Sequence, residues 1–404
     1  MNGDTTAKPI RGPILLALAL TCFSAWLFKG HCVADGGWTG VEQYVTGCYS
    51  DAVPFWGARG VAAGEIPYLQ ARLEYPVLTG ALIWLEGLAT RLLFGARAGS
   101  PGFLLVVTLV NAGLAWWTLR SLQRFGAEGW RLWAWAAAPP IVLYLGHNWD
   151  MLAIALAMAA LLLAHRGDLA AGAAVAGLGV AAKLFPVLLL PLLGLAALFE
   201  RGRPVPQRVA RAGVVTAGAV AAYAVVNLPV ALLAFDNWAE FYRFSAERTP
   251  TAAATWQVLA ETGLLRLDLP RLNLAAFASF VGGAALILLA GWRAHRDRLW
   301  MLFTPLLAWF ILTNKVHSPQ FDLWLYPFLL LSLRRPLPVL LFAAADLLAY
   351  FAEFWWFAGL EGATPAATTT HIAVAVAFRA AVMLWIILET TVRPADVEPV
   401  RASG

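Results

Sequence analysis

Along this chain apolar residues come in blocks, and the polar ones gather between them. Pro13 to Phe28, Phe103 to Leu119, Val209 to Leu233, Leu272 to Trp292 and Leu337 to Phe357 carry very little charge. Blocks of roughly 17 to 25 residues are what a helix rising about 1.5 Å per residue needs to cross about 30 Å of hydrocarbon. The alternation of a barrel strand is absent, so the blocks predict spanning helices. The pattern reads as an all-α polytopic membrane protein, a bundle of about 11–13 transmembrane helices in a single domain over residues 1–392. A polar first loop, 30–75, and a second one, 234–272, would lie outside, the first carrying short interfacial helices.

Arginines set the expected topology. Lys8 and Arg11 precede the first block, and Arg120 to Arg131, Arg166, Arg201 to Arg211, Arg293 to Arg298, Arg334-Arg335 and Arg393 fall between or after later ones. Basic loops stay cytoplasmic, so both termini are expected inside, and residues 314–320 and 358–371 outside with the two loops above. No small-residue cleavage site follows Trp26-Leu27-Phe28-Lys29, so the first block reads as an uncleaved span. About thirteen apolar segments is an odd number and conflicts with two cytoplasmic termini, so one segment fails to cross. That segment is expected to be either 76–96, which carries Glu86 and Arg91, or one of the pair 170–182 and 184–199, split by Lys183 and Pro186. Disorder is expected in Met1 to Lys8 and in the tail 393–404.

Composition sharpens the class. The 404 residues are 60% hydrophobic and 13% charged, with a mean hydropathy of +0.69, whereas soluble domains carry about 25% charged residues. A net charge of +5 does not imply nucleic acid, because the basic residues are short clusters between spans. No Cys-x-x-Cys or His-x-x-x-His pair is present, so no metal ligand set is read, although an acid-rich loop leaves a divalent ion open and no other cofactor is implied. Cys32 and Cys48 share the first loop, where a bridge and two free thiols both remain open; Cys22 reads as packing within the first span.

The chemistry-bearing residues lie where polar sequence meets apolar blocks. In the first loop, Tyr49-Ser50-Asp51 leads through Arg59 and Gly64-Glu65-Ile66-Pro67-Tyr68 to Glu74-Tyr75-Pro76. Later come His147-Asn148-Trp149-Asp150, Lys183-Leu184-Phe185-Pro186, and Asn314-Lys315-Val316-His317-Ser318-Pro319-Gln320. Interfacial aromatics are ordinarily anchors and loop carboxylates ordinarily solvated, so it is the clustering that points to a site. Lys183 interrupts an apolar run, where a charge costs about 2.5 to 3.5 kcal/mol, so it either has a partner in a cavity or snorkels from a helix end. Acids, cations and aromatics together suit sugar-phosphate chemistry. A carboxylate deprotonates a hydroxyl, cations hold a departing phosphate, and aromatic faces hold sugar or polyprenyl chain.

At these motifs the chain resembles the polyprenol-phosphate-sugar-dependent membrane glycosyltransferases of the GT-C superfamily, most closely glycosyltransferase family 87 of actinobacteria. The resemblance rests on Asp51 with Gly64-x-x-Pro67-Tyr68, Glu74-Tyr75-Pro76, Asn148-Trp149-Asp150, Lys183-Leu184-Phe185-Pro186 and Lys315-x-x-Ser318-Pro319-Gln320, and on their order. It implies a GT-C-like bundle at the cell membrane with its site outside. The implied reaction is an inverting transfer of one sugar, mannose first and arabinofuranose next, from a polyprenyl-phosphate carrier to a glycolipid or glycan acceptor. It also implies Asp51 as general base, with Arg59, Tyr68, Glu74, His147, Asp150, Lys183, Lys315, His317 and Gln320 binding donor phosphate or substrate. Phe185 stands where Tyr is expected and His317 where an apolar or aromatic residue is commoner. From the residues alone, Glu74 and Asp51 remain rival bases.

A secondary transporter is the rival from another class, with Lys183 and Asp150 as coupling sites, but no repeat relates the two halves of the chain. A non-catalytic membrane scaffold leaves the ordered motifs without a role. Segment 234–272, with Trp238, Tyr242, Arg243, Glu247, Arg248, Trp256 and Glu261, reads first as an amphipathic helix on the membrane and second as a cover over the site.

Overall fold

The structure, a computed structural model, describes residues 9–33 and 40–393. The tails expected to be disordered fall outside these residues, apart from Arg393. The described residues form helices and no sheet. They are α1 (Gly12–Gly30), α2 (Glu42–Val45), α3 (Ala52–Ala58), α4 (Val77–Phe94), α5 (Ser100–Phe125), α6 (Trp130–Ala136), α7 (Pro139–Tyr144), α8 (Asp150–His165) and α9 (Leu169–Ala182). The second half adds α10 (Leu189–Leu198), α11 (Val205–Leu233), α12 (Phe235–Glu247), α13 (Thr255–Glu261), α14 (Leu269–Gly291), α15 (Phe303–Thr313), α16 (Phe321–Ser332), α17 (Leu337–Leu360) and α18 (Thr369–Val392).

Proline opens many of these helices. Pro13, Pro101, Pro139, Pro206, Pro270 and Pro338 sit in first turns, where the missing N–H has no intrahelical partner to lose. Asp168 and Asp268 cap α9 and α14 by accepting from the backbone of Ala171 and Arg271. Gly126, at φ 107°, closes α5 in the left-handed conformation that glycine adopts at least cost.

Side-chain ties sort the helix ends onto two sides. On the arginine side, Arg131 donates to Leu333 O (3.0 Å), Phe125 stacks on His165, Arg201 approaches Asp297 (3.7 Å), and His295 meets Thr390 O (3.0 Å). On the other, the loop side, Asn237 donates to Tyr68 O (2.6 Å), Trp256 to Thr313 O (2.7 Å) and Trp355 to Val45 O (3.1 Å).

Among the described residues seven helices are long and apolar enough to cross a membrane: α1, α4 extended to Arg97, α5, α11, α14, α17 and α18. Of these, α4 does not cross. Thr79 Oγ1 near its start donates to Ala182 O (2.7 Å) at the loop-side end of α9, and Glu86 Oε2 accepts from Trp149 Nε1 (2.6 Å) beside the start of α8. Its last turn returns to the first loop through Arg91 and Ala63 O (3.0 Å), and Ser100, opening α5, donates to Val53 O (3.2 Å). Both ends of α4 therefore lie on the loop side, with Leu85, Leu92 and Leu93 exposed along it. The segment 76–96 is thus the one that breaks the odd tally. Helices α9 and α10, on either side of Lys183 and Pro186, run in opposite directions and each make a passage. The six remaining long helices, the five shorter apolar ones and the pair α6–α7 give twelve alternating passages.

The five shorter helices have 10–17 residues, hence about 15–25 Å at 1.5 Å per residue, less than a bilayer's hydrocarbon. Residues at their loop-side ends line a depression.

Candidate functional site

Over those short ends lies a cavity of about 740 Å³. Its floor is built where α7 gives way to α8, where α9 breaks at Lys183 and where α15 turns into α16; its walls are the first loop, the end of α12 through Thr251, and the loop-side end of α17.

The segment that presents Asp51 is pinned from several directions. Cys48, just ahead of α3, is bridged to Cys32, so the thiols left open by the sequence are joined. Lys29, fully buried at the end of α1, donates to Gly47 O (3.1 Å) and to the Tyr350 hydroxyl (2.6 Å). Ser50 Oγ donates to Gly146 O (2.6 Å), and Asp51 N to His147 O (2.7 Å). The carboxylate of Asp51 then accepts from two phenols, Tyr49 on Oδ1 and Tyr75 on Oδ2, each at 2.9 Å. Burial pushes the Asp51 pKa above the ordinary carboxylate range, against the opposing pull of the phenols and of Lys183. One lone pair on each oxygen is left for a further donor.

Lys183 has both the partner and the cavity that its cost called for. It follows the last residue of α9 in extended backbone, reaches Asp150 Oδ1 at 2.8 Å, and lies 5.0 Å from the centre of the Tyr75 ring. Asp150 is fully buried behind it and takes the Trp324 indole on its other oxygen (2.7 Å), while Trp324 stacks between Phe185 and Phe321. Glu74 is tied to Arg59 by two hydrogen bonds, 2.9 Å from Nε and 2.7 Å from the terminal nitrogen. That bidentate pair occupies Glu74 and neutralises Arg59.

On the far wall, His317 is 2% exposed, with Nδ1 3.2 Å from an Arg379 nitrogen and Nε2 3.5 Å from Asp322. Arginine only donates, so Nδ1 must be the acceptor and Nε2 carry the proton. Burial and Arg379 both depress the His317 pKa. Burial, then Lys29 and Lys183, depress the His147 pKa as well, so both histidines are pushed towards the neutral form. Lys315 donates to Ala246 O (2.7 Å) and its pKa is lowered by burial and by nearby Arg248. Among the described residues neither Lys315 nor Arg248 lies within ion-pair distance of an acid, and Gln320 Oε1 is buried without a partner.

Asp51, Arg59, Glu74, His147, Lys183, Lys315, His317 and Gln320 all line this cavity. Tyr68 and Asp150 do not. Tyr68, at φ 67°, is buried and donates to Tyr75 O (2.8 Å) and Pro76 O (2.9 Å), so it shapes the backbone behind Tyr75. The second loop walls the cavity through Phe241, Phe244 and Arg248, the less expected of its two roles. Tyr49, Arg379 and Glu353 were not among the expected site residues; Tyr49 was legible as the neighbour of Asp51, whereas Arg379 and Glu353 lie inside apolar blocks far along the chain. His31, Cys32 and Cys48 bring possible ligand atoms within 4.8 Å, but the two sulfurs are committed to each other.

No protein-family model and no curated protein matches the chain. Among solved structures, it is similar to the crystal structure of ArnT from Cupriavidus metallidurans in the apo state, at 14% identity and a TM-score of 0.45, over 94% of this chain and 76% of that one. A likeness at that score assigns no residue a role.

Proposed function

We propose that this chain is an inverting membrane glycosyltransferase that moves a sugar from a polyprenyl-phosphate carrier to a hydroxyl of a glycolipid or glycan on the outer face of the membrane. The observation that carries this reading is one cavity holding a carboxylate of raised pKa, Asp51, together with two cations, Lys315 and Arg248, that among the described residues have no acid within ion-pair distance. A general base works best with a pKa moved towards the operating pH, and a departing phosphate is stabilised by fixed cations.

In this reaction the acceptor O–H gives its proton to Asp51 while its oxygen attacks the anomeric carbon opposite the phosphate. The bond from that carbon to the phosphate oxygen breaks, its electrons leave with polyprenyl phosphate, and the anomeric configuration inverts. Lys315 and Arg248 meet the charge that develops on the phosphate. Lys183 and Arg59, expected from the sequence to share that task, are already neutralised by Asp150 and Glu74 and act instead by orienting Tyr75 and the loop. Asp51 is favoured over Glu74 as the base because Glu74 is engaged by Arg59 on both oxygens. Gln320, with a buried amide oxygen free, is available to a sugar hydroxyl. Phe241, Phe244 and Phe310 suit a polyprenyl chain entering from lipid. Mannose as the donor sugar, with arabinofuranose second, rests on the family resemblance.

Purified protein in lipid discs, supplied with radiolabelled polyprenyl-phosphate mannose and arabinofuranose and an extract of membrane glycolipids, tests the reading. Label transferred from the lipid-linked sugar, but not from a nucleotide sugar, with inverted configuration is the expected result. Absence of transfer from every lipid-linked donor, or retention of configuration, overturns it.

A further inference from the structure

One wall of the cavity is mainly aromatic. There Tyr44 and Tyr49 from the first loop meet Phe354 and Phe357 from the loop-side end of α17. Ring centres lie 5.5 Å apart for Tyr44 and Phe357, 6.0 Å for Tyr49 and Phe354, and 6.4 Å for Phe354 and Phe357. Phe354 is buried, while Tyr44, Tyr49 and Phe357 are partly exposed, and all four line the cavity. Trp355 fastens this wall to the loop through Val45 O.

Beside these rings is a polar group the transfer chemistry above does not use. Glu353 is 3% exposed, lines the cavity and leaves Oε2 buried with no hydrogen-bond partner, with Arg379 and Arg248 as its charged neighbours. A buried carboxyl oxygen without a partner is costly, and a ligand hydroxyl donating to it removes that cost. Tyr49 belongs both to this wall and to the hydrogen bonds of Asp51. A ligand lying on the wall is therefore held one phenol's width from the Asp51 carboxylate.

We infer that the wall formed by Tyr44, Tyr49, Phe354, Phe357 and Glu353 is the acceptor subsite, and that the acceptor presents a neutral saccharide ring there. This rests on the glycosyl-transfer reading and names the acceptor class within it. Aromatic faces take the apolar face of a pyranose or furanose ring, and Glu353 and Asp51 take its hydroxyl protons. A polyprenyl chain would leave Glu353 unpaired, and an anionic ring would have to compete with Glu353 for Arg379 and Arg248. The donor phosphate keeps to Lys315 and Arg248.

Saturation-transfer NMR on the full chain in lipid discs tests this with a soluble neutral probe, an α-linked mannobiose. The variants are the double change Tyr44→Leu with Phe357→Leu, which keeps apolar bulk and removes the aromatic faces, and Phe357→Trp, which keeps a face. Expected are disaccharide binding by wild type and by Phe357→Trp, and affinity about tenfold weaker in the double leucine variant. Affinity unchanged in the double leucine variant, or no binding by folded wild type, overturns the inference. Disaccharide binding that follows this pattern in a protein that transfers no sugar supports the saccharide wall and defeats the transfer reading, so the two failures are distinguishable.

Discussion

Replacing Tyr75 by Phe keeps the ring that packs against Lys183 and Trp149 and deletes only the hydroxyl that donates to Asp51 Oδ2 at 2.9 Å. Asp51 must be ionised to accept a proton, so kcat/KM falls as pH drops through its pKa in the free enzyme. Burial has already raised that pKa, and the Tyr75 and Tyr49 hydrogen bonds lower it by favouring the charged form. A hydrogen bond to a charged group is worth about 1.5–3 kcal/mol, and about 1.4 kcal/mol corresponds to one pH unit. The acid limb of the profile should therefore move up by about one to two units in Tyr75→Phe, and in the same direction in Tyr49→Phe. Well above the limb the rate should stay within a few-fold of wild type. The assay is transfer of labelled sugar from polyprenyl phosphate in lipid discs between about pH 4 and pH 9. A uniform loss at every pH with an unmoved limb would refute the reasoning, because it would show that Tyr75 shapes the cavity without tuning the carboxylate.

Asp51→Asn should leave thermal stability equal to or above wild type at neutral pH. A carboxyl whose folded pKa is raised binds more protons folded than unfolded, so its ionisation lowers stability as pH climbs above the unfolded value, and a neutral amide avoids that loss; a clear drop in melting temperature would contradict the burial argument. Lys183→Met leaves Asp150 as an uncompensated buried charge and should cost about 3–5 kcal/mol, and adding Asp150→Asn should recover part of it; denaturation of the two single variants and the double gives the coupling, and additive losses would rule the pair out. Lys315→Gln and Arg248→Gln should each lower kcat by about 10²–10³, whereas Arg59→Gln, already neutralised by Glu74, should cost far less; equal losses in all three would remove the distinction between paired and unpaired cations. Reduction of the Cys32–Cys48 bridge should lower stability by about 3 kcal/mol, read as a fall in melting temperature with dithiothreitol that Cys32→Ala with Cys48→Ala reproduces.

Much of the architecture was legible because a bilayer admits few solutions for apolar blocks. Glu86 and Arg91 made segment 76–96 a suspect, but its composition is that of a span and could not decide between it and the pair 170–182 and 184–199; its course is set by Thr79, Glu86 and Arg91, whose loop-side partners are distant in sequence. Asp51, Lys183 and Lys315 could be found because each is a charge abutting apolar sequence. Their division of labour could not. Glu74 is removed from contention by Arg59 and Lys183 by Asp150, and His317 is pushed towards the neutral form by burial and by Arg379, sixty-two positions later. Arg248 read as one more charge on an amphipathic segment until α12 was seen to wall the cavity. Glu353 and Phe357 sat unremarked within an apolar block because only the helix ends show which of its residues face the site.

The most direct measurement compares wild type and Asp51→Asn, purified in lipid discs at equal folded yield, for sugar transfer from polyprenyl phosphate and for binding of the same donor. The account predicts a loss of about 10²–10⁴ in turnover with donor affinity retained. Full turnover in Asp51→Asn would contradict it and return Glu74 to the role of base.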